Sequence, residues 1–236
     1  MSVGVVVVAG GRGRRFGPRA ARPKQFLPAA GRPLLYWPLR VFERLAAVRD
    51  VVLVVPAGFE PWARDFVRRS GLRKVRAVAT GGKERADSVR SGWRALAGRH
   101  DVVLVHDAAR VLVTADVVRR VIAAARRSGA ALAGWPVPDT LKRLRRSSAK
   151  RQGRRFVGRT VPRDGVWLAQ TPQGFKGTLA ARVLGRSGGR VSDDVQFAEK
   201  LGIRVEMVPG SASNFKVTVP EDFRIATDLL RERRGE

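Results

Sequence analysis

Short runs of branched apolar residues recur along the chain, each followed by a segment of helical periodicity. No other feature constrains the fold as strongly. Val3–Val8, Val51–Val55, Val75–Ala79 and Val102–Val105 are rich in valine, Ala130–Trp135 is rich in alanine, and none shows polar alternation. Strands covered on both faces read this way. Between them lie amphipathic segments at Leu39–Ala47, Glu60–Ser70, Glu84–Ala97 and Ala115–Ser128. In the last of these, Val117, Val118, Val121, Ile122 and Ala125 share one face, and Thr114 stands where a helix cap belongs. The alternation predicts an α/β fold with a mostly parallel sheet and helices on both faces. Ligands on such sheets bind beyond the carboxyl ends of the strands.

The pattern breaks at Pro136. From Asp139 to Arg163 there are ten Lys or Arg residues and one acid, and Arg145 to Gly153 is almost devoid of apolar residues. Apolar stretches at Thr140–Leu144 and Phe156–Thr160 flank this run. The segment at about 138–165 therefore reads as a protruding hairpin or arm with a mobile tip, too poor in core to be a domain. Beyond it, Val166–Thr171 and Ile203–Val208 read as strands, and Asp194–Leu201 and Pro220–Arg231 as helices. Pro220 suits a helix start, and Glu221 and Asp222 suit the positive end of its dipole. A length of 236 residues allows one large domain or two small ones. With no second core in view, residues 1–236 are expected to form one domain.

Composition removes several chemistries. The absence of cysteine excludes a disulfide scaffold, a cysteine zinc site and a thiol nucleophile, and two histidines, His100 and His106, are too few for a histidine-rich metal centre. No apolar run approaches the roughly 20 residues that span a bilayer. The run from Val3 to Ala9 is too short for a secretory signal. A soluble cytoplasmic protein with no membrane partner is expected. The net charge of +27, with arginine as 39 of the 47 basic residues, calls for an anionic partner. Nucleic acid and phosphorylated metabolites are the two candidates. The chain lacks a helix-turn-helix, zinc or RNA-recognition pattern, and aromatics do not interleave with the basic arm beyond Phe156. Nucleic acid is the weaker candidate.

The loop Ala9-Gly10-Gly11-Arg12-Gly13-Arg14-Arg15-Phe16-Gly17 follows the first strand directly. Glycines there let backbone N–H groups approach a phosphate, and the arginines neutralise it. No Gly-Lys-Ser/Thr follows, so it is not a Walker loop, and Phe16 stands where a dinucleotide fingerprint has its third glycine. Pro23-Lys24-Gln25-Phe26 comes shortly after. Arg15 and Lys24 can bracket one phosphate whose charge rises during reaction, which is electrostatic stabilisation of a phosphoryl-type transition state. Arg14 is the alternative to Arg15.

Further motifs follow in order: Gly-Gly-Lys-Glu-Arg-Ala-Asp-Ser-Val at 81–89, Val-His-Asp-Ala-Ala-Arg at 105–110, Pro-Val-x-Asp-Thr at 136–140, Thr-Val-x-Arg-x-Gly-x-Trp at 160–167, Gln-Thr-Pro-Gln-Gly-Phe at 170–175 and Asn-Phe-Lys-Val-Thr at 214–218. Together with the first loop and Pro-Lys-Gln-Phe, they resemble the cytidylyltransferases that act on 2-C-methyl-D-erythritol 4-phosphate in non-mevalonate isoprenoid biosynthesis. The resemblance covers residues 3 to 230. It implies a Rossmann-like sheet of the nucleotidyltransferase type with a projecting β-arm. The implied reaction joins CTP to the sugar-alcohol phosphate and releases pyrophosphate, with Mg²⁺ or another divalent cation carried by CTP. A same-fold enzyme acting on ribitol 5-phosphate is the nearest alternative.

By the same resemblance, Arg15 and Lys24 hold the triphosphate, and Ala9, Gly10, Gly11 and Gly13 line the nucleotide site. Gly81, Gly82 and Ser88 recognise cytosine and ribose, with a first-turn or capping role as the structural alternative for Ser88. Asp107 engages acceptor hydroxyls or the metal ion, or else forms a buried pair with Arg110. His106 reads as packed rather than ligating. The arm implies a homodimer in which Thr140 and Arg163 reach the neighbour's acceptor site. Arg163 and Lys216 position the nucleophilic phosphate, Arg110 stands among the acceptor-binding groups, and Thr171 adds a hydroxyl contact. The chain departs from the family pattern at Val111, where proline is usual, and at Lys83, where some members are acidic.

Overall fold

The computed structural model describes residues 1–11, 16, 22–145, 155–185, 193–233 and 235. In chain order the elements are β1 (Val3–Val8), a 3-10 turn (Lys24–Phe26), the small hairpin β2 (Pro28–Ala29) and β3 (Arg32–Pro33), α1 (Tyr36–Arg44), β4 (Val48–Val55), α2 (Glu60–Arg69) and β5 (Val75–Thr80). There follow α3 (Arg85–Ala95), β6 (Val102–Asp107), α4 (Ala115–Ser128), β7 (Ala130–Pro136), the arm strands β8 (Leu141–Leu144) and β9 (Val157–Val161), β10 (Trp167–Lys176), α5 (Gly177–Leu184), α6 (Val195–Lys200), β11 (Val205–Pro209) and α7 (Pro220–Glu232).

Seven strands form one sheet in the order β11-β7-β10-β6-β1-β4-β5. β1 pairs in parallel with β4 and β6, β4 with β5, and β7 with β11. The expected parallel sheet is interrupted by β10, which runs antiparallel to both β6 and β7. The cause is the arm: the chain leaves along β7, turns through β8 and β9, and returns beside its own exit strand as a long hairpin does. β10 also continues past Thr171 to Lys176, farther than the apolar pattern shows.

Strand periodicity explains the two cores. Along β1 and β4, Val3, Val5, Val7, Val51, Leu53 and Val55 face one side, where α1, α2 and α4 contribute Leu39, Phe42, Phe66, Val118 and Val121. Val6, Val52 and Val54 face the other side, against Val89 of α3, Val183 and Leu184 of α5 and Phe197 of α6. A third cluster packs Ala226 and Leu230 of α7 onto Ala29, Leu34 and Leu112.

Helix ends follow local chemistry. Thr114 caps α4, its Oγ1 accepting from Val117 N at 3.3 Å. Helix α1 spans Tyr36–Arg44 rather than Leu39–Ala47. Pro38 lies in its first turn, where a missing N–H costs nothing. Among the described residues no helix is long and apolar enough to cross a membrane. The arm strands pair from Leu141↔Val161 to Leu144↔Val157. The expected mobile tip falls largely on 146–154, outside the described residues.

Candidate active site

A cleft of about 250 Å³ opens at the carboxyl ends of β1 and β6. Five separate stretches line it: Ala9, Gly10 and Gly11 after β1; Lys24 and Gln25 on the 3-10 turn; Gly82–Arg85 and Ser88 at the start of α3; Asp107–Ala109 at the end of β6; and Lys216 before α7.

One wall is made of backbone. A Cβ on Gly81 would lie 3.2 Å from Gly10 Cα and 3.3 Å from Val55 O, and one on Gly10 would lie 3.0 Å from Ser88 Oγ. The two glycine segments therefore touch so closely that an added Cβ would have to push its neighbours back by a few tenths of an ångström. Each is pinned to β4 as well, Ala9 N donating to Val54 O and Gly81 N to Val55 O, both at 2.7 Å. Ser88 is buried in the first turn of α3, where its Oγ accepts from Gly82 N at 3.1 Å and donates to Glu84 O at 3.3 Å. It thus braces the Gly81–Glu84 loop while also lining the cleft.

The other wall is made of charge. Asp107 Oδ2 accepts from Lys216 Nζ at 2.7 Å and its Oδ1 from Arg85 Nε at 3.0 Å. Arg85 extends to a second carboxylate, with Nη1 2.8 Å from Asp194 Oδ2. Burial alone would raise the Asp107 carboxyl, but Arg85 and Lys216 outweigh it and hold it below the usual carboxylate range. Burial pushes Asp194 up, and Arg85 offsets that only in part. Burial works against the Arg85 charge, but the two carboxylates more than reverse it, so the guanidinium stays protonated. Its Nη2 is buried and has no hydrogen-bond partner among the described residues.

Behind Asp107 the polar groups are neutral. His106 is fully buried, and burial pushes its imidazole down to about 4. Arg110 O, 3.2 Å from His106 Nε2, can only accept, so that nitrogen carries the proton. Nδ1 then accepts from the Thr171 hydroxyl at 3.0 Å, and Thr171 Oγ1 accepts from Asp107 N at 3.1 Å. The chain is fully satisfied in one tautomer, and it fixes the backbone on which Asp107 stands.

Several expected residues take other positions. Gly13 and Arg15 lie outside the described residues. Asp107 does not pair with Arg110. That guanidinium donates instead to Asn214 O at 2.7 Å and Ala169 O at 3.0 Å, tying β10 to the segment that carries Lys216. The Thr171 hydroxyl is turned inward to His106 and Asp107 rather than toward the cleft. Thr140 and Arg163 are exposed at the base of the arm and do not line the cleft, and Arg163 Nη1 donates to Pro138 O. Lys83 lines the cleft, and Val111 is buried in the third core.

Three working groups carried no role in the sequence reading. Gln25 is buried, and its Nε2 donates to Ala9 O and, at 2.8 Å, to Gly11 O, locking the Lys24 turn to the glycine loop. Arg85 and Asp194 complete the charged wall. Gln25 and Arg85 fall inside the motifs quoted above, but nothing in their spacing pairs them with these partners.

A sheet of this order, with a glycine loop and a lysine at its carboxyl edge and a cation-rich cleft, defines a nucleotidyltransferase. The sequence profile of IspD, 2-C-methyl-D-erythritol 4-phosphate cytidylyltransferase, matches residues 3–232, and the chain belongs to that family. It is 36% identical over 234 residues to the 2-C-methyl-D-erythritol 4-phosphate cytidylyltransferase of Syntrophus aciditrophicus, covering 98% of this chain and 96% of that one. It is 41% identical over 237 residues to the enzyme of the same name from Pelotomaculum thermopropionicum, covering 99% and 96%. The crystal structure of the Thermus thermophilus 2-C-methyl-D-erythritol 4-phosphate cytidylyltransferase superposes with a TM-score of 0.77 at 36% identity, covering 98% of this chain and 100% of that one.

Proposed function

We propose that this cleft is where the chain, a cytidylyltransferase, joins CTP to 2-C-methyl-D-erythritol 4-phosphate, giving 4-diphosphocytidyl-2-C-methyl-D-erythritol and pyrophosphate. One observation carries the reading: the glycine loop, Lys24, the Gly82–Ser88 loop, Asp107 and Lys216 meet in a single cleft. Cytosine and ribose lie against the backbone wall of Ala9, Gly10, Gly11, Gly81, Gly82 and Ser88. Such a wall reads a base by shape and by fixed donors and acceptors. Lys24 holds the triphosphate, together with Arg15 and the Gly13 loop.

The acceptor's phosphate monoester is already anionic near neutral pH. Its oxygen attacks the α-phosphorus, a P–O bond forms, the α–β bridge breaks and pyrophosphate leaves with the electron pair. No general base is required, and the neutral, enclosed His106 is not placed to be one. Catalysis reduces to alignment and charge neutralisation. Lys216 and Arg163 position the attacking phosphate, and Asp107 receives acceptor hydroxyls, with Arg110 and Thr171 holding its surroundings.

Mg²⁺ enters with CTP as part of the substrate. Among the described residues no three acidic or histidine side chains converge to hold a metal. Asp107 is flanked by two cations, a poor donor set for a resident ion. The triphosphate oxygens are the better ligands.

Homodimerisation through the arm, within a single nucleotidyltransferase domain of residues 1–236, is the second part of the reading. Leu144, Phe156, Val157 and Leu168 are 44%, 65%, 53% and 51% exposed. A two-stranded hairpin is marginal alone, and a row of exposed apolar residues marks a protein contact. Arg163 and Thr140, away from their own chain's cleft, then serve the partner's. The cytoplasmic setting rests on the substrate, a nucleoside triphosphate, and no nucleic acid takes part.

Pyrophosphate release with CTP and each acceptor tests the function. Turnover is expected with methylerythritol phosphate and not with ribitol 5-phosphate. Turnover with the ribitol compound alone would overturn the assignment.

A further inference from the structure

Arg85 stands at a junction that the reaction scheme does not explain. It is the first residue of α3, directly after the loop that faces the base, yet its guanidinium points to Asp107 at the end of β6 and to Asp194 beside α6. The four side chains of this network differ in how enclosed they are. The Asp194 and Asp107 side chains are 2% and 10% exposed and that of Arg85 is 22%, whereas Lys216, the other cation on Asp107, is 38% exposed. The enclosed end of the network is Arg85 on Asp194, and the open end is Lys216.

A buried network of this kind is poor evidence for stability, since apolar side chains of similar volume often serve a core better. Its place on the cleft wall gives it another meaning. Lys216 has two demands on its charge: the Asp107 carboxylate that it touches in this structure and the acceptor phosphate that enters during the reaction. A carboxylate held by Lys216 alone would be left unpaired whenever the lysine turned to the phosphate. Arg85 prevents this, because it grips Oδ1 while Lys216 occupies Oδ2.

We propose that Arg85, anchored on Asp194, is a positioning residue for the acceptor. It fixes the Asp107 carboxylate so that Lys216 and the acceptor hydroxyls share the remaining oxygen. The inference deepens the assignment of Asp107 as the acceptor's hydroxyl partner and rests on it. Arginine suits the task because its fork serves two carboxylates at once, which a lysine ammonium on its single stem does less well.

Steady-state kinetics on the full-length enzyme tests this, with CTP and methylerythritol phosphate varied separately. R85Q should raise KM for the acceptor by about tenfold or more while KM for CTP changes by less than about twofold. D194N should move the acceptor KM in the same direction by a smaller factor. In a D107N background, R85Q should add less than about twofold, because the two residues act through one carboxylate. R85K keeps a charge for one carboxylate and should fall between wild type and R85Q, and it gives the same readout if R85Q fails to fold. Equal shifts in both KM values, an unchanged acceptor KM in R85Q or R85K, or a full R85Q effect in the D107N background would each overturn the proposal. The two assignments fail differently. An unchanged acceptor KM in D107N removes Asp107 from the acceptor site and the proposal with it. A raised acceptor KM in D107N with R85Q silent removes Arg85 alone.

Discussion

The two walls of the cleft solve recognition in opposite ways. On the side proposed for the base, Gly10 and Gly81 meet through backbone at separations tight for any added side chain, and each segment is tied to β4. On the side proposed for the acceptor, four charged side chains from distant parts of the chain hold one another, with Lys216 linked to Asp107 across 109 residues. A backbone wall is rigid and nearly neutral, so it selects by fit. A wall of paired ions can exchange partners, so it responds to a charge that arrives. On the proposed assignment, the flat base of CTP meets the first kind and the acceptor phosphate the second.

The comparison can be broken most decisively between the walls, where the triphosphate is to lie. Lys24→Ala should lower kcat on the order of 10²-fold or more, with a smaller change in KM for CTP. A kcat near wild type with only KM raised would make Lys24 a binding residue and remove its transition-state role.

Whether the charged wall is completed by a second chain is tested by mixing inactive subunits. Lys24→Ala and Arg163→Ala chains should each be weak alone. Random mixed dimers should recover about a quarter of wild-type activity, because one cleft in each heterodimer regains both side chains. No recovery in stable mixed dimers would mean that each cleft is built from one chain.

The smallest effect sharpens the other wall. Gly81→Ala forces a methyl group against Gly10 and Val55 O and should raise KM for CTP roughly tenfold, leaving the acceptor KM near wild type. A raised acceptor KM instead would place the base elsewhere.

Much of this architecture was legible in the sequence. The apolar runs mark β1, β4, β6 and β7 because a strand covered on both faces has no polar face to show, whereas β5, found by the same pattern, is an edge strand with none of its residues fully buried. Helix α4 was legible to the residue, since its apolar stripe, its Thr114 cap and Gly129 after its end all agree. The direction of β10 was not, because composition is the same in both senses of a strand and only the return from the arm decides it. At the site, the backbone wall was readable as glycine motifs. The charged wall was not: Asp107 suggested Arg110, three residues on, whereas its partners come from α3 and from the segment before α7. Buried ion pairs are settled by tertiary packing, and nothing local in the chain records them.

The last helix has a temporal consequence. Helix α7 folds back onto Ala29, Leu34 and Leu112, and Arg233 Nη1 reaches Leu112 O at 3.0 Å. Lys216 sits just upstream of that clasp. During synthesis the ribosome delivers the glycine loop about two hundred residues before this lysine, so the cleft closes only after every strand of the sheet has been made. A polypeptide lacking residues 210 onward would keep all seven strands of the sheet yet lack Lys216, the group proposed to meet the incoming phosphate.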